Sequence, residues 1–190
     1  MGSTRDKRRL PWHGAAAATF WLVHAGRHVL GGTAHDLLWA CNVAVPLLAI
    51  GCFLGHAMPC AVAISWLAFG TPMWLLDLAT GAGLIVTSPL VHVAAPLVAI
   101  SALRRLGWPD RAWVFATGGA LPLLVASRLL GTTEANPNLA FRVHEGWEGH
   151  FRSHPLMLGL LLVVAASVFF AIDAVVRRAR GPARTPDLQG

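Results

Sequence analysis

LIVTSPLVHVAAPLVAISALRR, residues 84–105, decides the class of this protein. From Leu84 to Leu103 it carries no Asp, Glu, Lys or Arg. That is about the 20 apolar residues a helix needs to cross a bilayer. The run then stops on Arg104 and Arg105. One imidazole, His92, interrupts it about eight residues from its start, or roughly 12 Å deep at a helical rise of about 1.5 Å.

Working outward, four more stretches read the same way: about 36–55, 59–79, 112–130 and 155–176. A sixth, 12–30, is apolar but carries His24, Arg27 and His28. Arg5, Lys7, Arg8 and Arg9 ahead of Ala15–Val23 also resemble the start of a signal peptide, but no small-residue cleavage site follows. Composition agrees with the span reading. Hydrophobic residues make up 55% of the 190 and charged residues 13%, about half the usual share for a soluble domain. Mean hydropathy is +0.58. The expected fold is all-α, a polytopic transmembrane bundle of about six spans.

Charge sets the orientation. Arg5, Lys7, Arg8 and Arg9 precede the first span; Arg104, Arg105 and Arg111 separate the fourth and fifth; Arg177, Arg178, Arg180 and Arg184 follow the last. Six spans bring all three groups to one side, and the positive-inside rule makes that side cytoplasmic. Five would strand the basic N-terminus outside. The expected layout is thus a cytoplasmic N-terminus at 1–11, a six-helix domain at 12–176 and a basic, disordered cytoplasmic tail at 177–190. The setting is a multi-pass inner-membrane protein. The basic clusters are topological, and no nucleic-acid-reading motif accompanies them. The 131–154 segment, GTTEANPNLAFRVHEGWEGHFRSH, is the one outer loop long enough to act as a lid.

Within the spans the polar residues fall toward the outer ends. His24, His28, Asp36, Asn42, Asp77, Thr87, Ser88, His92 and Arg128 would form one pocket opening on the extracytoplasmic face. Polar groups are costly in hydrocarbon and line cavities or face partners. His92 is the deepest, suited to a general base or a metal or haem ligand. Cys41 and Asn42 lie one to two turns inside the second span; Cys41 is a candidate nucleophile or a small buried hydrophobe. Asp36 is placed to cap that span. His24 and His28, at i and i+4, can bind a metal given a third ligand such as His35, Asp36 or Asp77. Asp77 and Arg128 either pair, or Arg128 snorkels to lipid phosphate. Cys52 and Cys60 read as reduced, near the cytoplasmic end. Trp12, Trp39, Trp74, Trp108, Trp113 and Trp147 read as interfacial belts.

HDLLWACNVAVPLLAIG (35–51), PMWLLDLATGAGLIVTSPLVHVAAPLVAISALRRLGWPDRAW (72–113) and EANPNLAF (134–141) together resemble a group of small bacterial integral membrane proteins. That resemblance implies no activity. More distantly, the layout is similar to the androgen-induced intramembrane lipid hydrolases and TMEM-type acyltransferases. Those pair a nucleophilic Thr or Cys on one helix with a His on a later one. The resemblance implies Cys41 as nucleophile and His92 as base, with Asp36, Asn42, Asp77, Thr87, Ser88 and Arg128 around the substrate. The alternatives are a haem- or metal-binding membrane protein using His24 and His28, or a subunit of a membrane complex. The partners expected are membrane lipids and other membrane proteins; the sequence specifies no cofactor.

Overall fold

The computed structural model describes residues 9–80, 83–151 and 153–180. Arg5, Lys7, Arg8, Arg184, Gly81, Ala82 and the tail beyond Arg180 lie outside the described residues. Among those described the regular structure is all helical, with six α-helices and no strand. They are α1 (Pro11–Leu30), α2 (Ala40–Leu54), α3 (Ala57–Ala79), α4 (Ala95–Leu106), α5 (Ala112–Leu130) and α6 (His154–Ala179). Short 3₁₀ turns at Ala34–Leu38 and Pro137–Leu139 and a π turn at Leu90–Ala94 complete the order.

Helices α3, α5 and α6 are long and apolar enough to cross a membrane. Their outward faces carry Leu75, Leu76, Phe115, Leu121, Val125, Val163 and Phe170, all exposed. An apolar exterior of this extent suits a lipid surround, so the chain is a membrane protein. The inside is built of small residues: Ala44, Ala49, Ala61, Ala63, Ala95, Ala99, Ala102, Ala112 and Ala116 are all buried. Small side chains let helix backbones approach closely where lipid offers no hydrophobic drive. Helix α3 is the hub, packing against α2, α4, α5 and α6, while α1 lies on α2.

The α2–α3 turn shows how close that approach is. Gly55, at φ 67°, ends α2 in the left-handed conformation glycine adopts freely. A Cβ on Gly51 would lie 2.7 Å from Cys60 Sγ and 3.0 Å from the His56 carbonyl oxygen. Gly51→Ala is therefore expected to destabilise the bundle by about 1–3 kcal/mol, the usual effect of overpacking. Thermal unfolding in detergent checks this, and an unchanged midpoint would show that the hairpin can open without loss.

Two expected boundaries move. The second span does not begin at Asp36: the chain breaks at Trp39 (ψ 140°), leaving Asp36 in the 3₁₀ turn before α2. Asp36 therefore does not cap α2. The α2 N-terminus is instead satisfied from the loop, where Asn138 Oδ1 accepts the Ala40 N–H at 2.8 Å. In the fourth span, residues 84–85 are non-helical and 86–87 form a turn; helix starts at Ser88 and runs to Leu106.

The opposite end is closed by a residue absent from the sequence-level pocket. Asp173, fully buried on α6, accepts a 2.7 Å hydrogen bond from Trp108 Nε1 and forms an ion pair with Arg177. Arg180 donates to the Trp108 carbonyl oxygen at 3.1 Å. Trp108, expected in an aromatic belt, ties the α4–α5 connection to α6. The i, i+4 spacing of Asp173 and Arg177 was the available signal.

Candidate functional site

A cavity of about 880 Å³ opens at the end of the bundle that carries the 131–151 loop. The volume is in the range of small-molecule sites. Its apolar wall comes from Phe69 and Met73 on α3, Leu123 and Leu124 on α5, and Leu158, Leu161, Leu162 and Phe169 on α6. Of the pocket residues expected from sequence, His24, His28, Asp36, Cys41, Asn42, Asp77, Ser88 and His92 line it; Thr87 and Arg128 do not. The loop contributes Thr132, Glu134, Ala135, Asn138, Leu139 and His144, so it covers the cavity.

The polar groups divide into two sets. The first is saturated. His28 Nδ1 lies 2.8 Å from Thr33 Oγ1 and 3.5 Å from Asp36 Oδ2. His28 Nε2 faces His24 Nε2 at 3.2 Å, and His24 Nδ1 meets Thr87 Oγ1 at 2.8 Å. One proton assignment satisfies every partner. Thr33 gives its hydroxyl proton to the His28 carbonyl oxygen at 3.4 Å. It therefore accepts from His28 Nδ1–H, as does the acceptor-only Asp36. His28 Nε2 is then an acceptor for His24 Nε2–H, and His24 Nδ1 accepts from Thr87. The i, i+4 histidines thus form a relay stitching α1 to the 33–36 and 84–88 segments. All four of their ring nitrogens are engaged. Among the described residues no group of three or more His, Cys, Asp or Glu is placed to hold a metal ion.

The second set is unpartnered. His92 is 7% exposed and its Nδ1 has no hydrogen-bond partner. Its ring stacks on Trp74, with centroids 4.6 Å apart and planes 5° from parallel. Local backbone chemistry aims it. Pro96 has no N–H, so the i−4 carbonyl, that of His92, loses its helical donor. The helix widens into a π turn with Ala95 N–H bonding the Leu90 oxygen, and Thr71 Oγ1 donates to the freed His92 carbonyl at 3.4 Å. Such π turns cluster at functional sites. Asn42 is 5% exposed; its Nδ2 donates to the Asp36 carbonyl oxygen at 2.7 Å, while its Oδ1 is buried and unpartnered. Cys41, half-buried, lines the same cavity, and no hydrogen bond joins its thiol to His92.

Asp77 and Arg128, considered as a pair from sequence, have different partners. Asp77 Oδ1 meets His144 Nε2 of the loop at 3.2 Å. Arg128 Nε donates to the Ala140 carbonyl oxygen at 2.8 Å. Helix-end placement brings both residues to one end of the bundle but says nothing of the direction around the helix axis. The described lining residues include Asp36, Asp77 and Glu134 but no Lys or Arg.

Trp39 and Trp74, expected in interfacial belts, line the cavity, whereas Trp12 is 85% exposed. Thr33 and the structural use of Asn138 escaped the sequence reading; the Asn-Pro-Asn turn was the available signal for the latter. No family model, curated protein or solved structure matches this chain.

Proposed function

We propose that this is a multi-pass inner-membrane protein whose cavity holds a long-chain amphiphile and acts on its acyl linkage. Both termini lie in the cytoplasm, and the cavity opens to the extracytoplasmic side beneath the 131–151 loop. Arg104, Arg105, Arg177 and Arg178 fall at the end away from that loop, which supports the orientation. The observation that carries the reading is the pairing of an apolar wall with buried, unpartnered polar atoms on His92 and Asn42. An unpaired buried polar group costs about 1–3 kcal/mol, and a ligand with matching groups relieves that cost.

In this reading the Cys41 thiol gives its proton to the His92 imidazole, and Sγ bonds the acyl carbon. The departing alkoxide takes that proton back, and water or a second alcohol releases the acyl group from Cys41. The distant resemblance to intramembrane lipid hydrolases and acyltransferases points the same way. The absence of a Cys41–His92 hydrogen bond favours a second reading, in which the cavity binds the amphiphile without reacting.

Turnover of a long-chain p-nitrophenyl ester by the purified protein in mild detergent separates the two. Acyl transfer predicts release of nitrophenol that Cys41→Ala removes. Turnover surviving that substitution would overturn Cys41 as nucleophile. Lipid retained through purification, with no turnover, would establish the binding reading.

A further inference from the structure

Resting on the reading that the cavity holds an amphiphile, we infer that it selects an uncharged head bearing a hydroxyl, such as a long-chain alcohol or monoacylglycerol, over carboxylate or phosphate heads. Two independent observations carry this. The first is charge. The described lining residues present carboxylates on Asp36, Asp77 and Glu134 and no guanidinium or ammonium group. Arg128, the one cation expected to hold an anionic head, is off the wall and bonded to the Ala140 carbonyl oxygen. An anionic head would meet like charges, partly exposed to solvent, with no guanidinium or ammonium group on the wall to offset them.

The second is hydrogen-bond sense. Asn42 Oδ1, buried beside the His24 ring with no well-formed hydrogen bond, is an acceptor only, so it favours a ligand that brings a donor. Carboxylate and phosphodiester heads bring none; a hydroxyl does. His92 Nδ1, also unpartnered, can accept from or donate to a hydroxyl according to its tautomer. A hydroxyl offers either atom the kind of partner it lacks, and the alkyl chain runs along the apolar wall toward Phe169.

Trp39, Trp66 and Trp74 line the cavity, so chain-brominated ligands that enter it quench tryptophan emission. The test compares four brominated octadecyl ligands on the purified protein: the alcohol, its methyl ether, the carboxylate and the methyl phosphodiester. The alcohol is expected to bind at least about tenfold more tightly than the ether, which leaves a buried acceptor unpaired, and than either anion. Asn42→Ala is expected to bring alcohol and ether together. Should that variant not fold, the alcohol–ether comparison in the intact protein decides alone. An anion binding as tightly as the alcohol, or an ether equal to it, would overturn this inference and leave the cavity reading standing. Quenching by none of the four would overturn the cavity reading itself.

Discussion

Replacing Asn138 with Ala is expected to lower the unfolding free energy by about 2–4 kcal/mol and to loosen the whole cavity end. Asn138 is the staple between the loop and two helices. Its Oδ1 accepts from Ala40 N at 2.8 Å, and its Nδ2 donates to the Leu38 carbonyl oxygen at 2.6 Å and to Ser127 Oγ at 2.8 Å. Alanine leaves the first two as unpaired backbone groups at the entry to α2. It also puts an ordinary side chain at φ 53°, a left-handed position that Asn tolerates better than most residues. Asn138→Asp is the informative companion. It keeps the acceptor for Ala40 but turns the donor toward Leu38 into a second acceptor, so it should destabilise nearly as much. Thermal melts of detergent-solubilised protein should show both midpoints falling by roughly 5–15 °C. A melt of Asn138→Asp indistinguishable from the wild type would show that the Leu38 contact contributes nothing. Because Trp39, Cys41 and Asn42 follow directly from this junction, amphiphile binding should weaken in parallel.

That staple also marks where sequence reading stops. Apolar run length located the helices because a bundle in lipid needs little else to define them, and Ala112–Leu130 matches its expected bounds. The clustering of polar residues at helix ends likewise grouped His24, His28, Asp36, Asn42, Asp77, Ser88 and His92, which all line the cavity, with Thr87 and Arg128, which do not. Which groups pair was not readable. His24 and His28 looked like half a metal site because i, i+4 spacing is common to ligands and to hydrogen-bonded neighbours; Thr33 and Thr87, distant in sequence from one another, decide between the two. Asp77 reaches His144 across 67 positions, a pairing set by how the loop folds back. The loop's path in turn depends on left-handed Asn136, whose Oδ1 accepts from Phe141 N and Arg142 N. Local chemistry was more legible around His92. Pro96, four residues on, already implied an unsatisfied His92 carbonyl, although the Thr71 hydroxyl that meets it could not be located from sequence.

His92→Phe should separate stability from function more sharply than any other change. The phenyl ring keeps the flat stack on Trp74 and removes a buried nitrogen that has no partner. Replacing an unsatisfied polar group by an apolar one of similar shape is neutral to stabilising, so the ligand-free protein should gain up to about 1–2 kcal/mol. The reaction should suffer in the opposite direction. Removing a general base costs typically about 10²- to 10⁴-fold in rate, and the variant should lose ester turnover to that extent. Proteins commonly carry such locally unfavourable groups where they act, and removing them trades activity for stability. The relay through His24 and His28 makes a useful contrast. Every ring nitrogen there is engaged, so His28→Phe would leave His24 Nε2 without its acceptor and take a donor from Thr33 and Asp36, and should lower the melting point. Opposite signs for the two substitutions would separate a histidine held for a ligand from one held for the fold. A fall in melting temperature for His92→Phe comparable to that of His28→Phe would place His92 among the structural histidines and remove the basis for a reactive site.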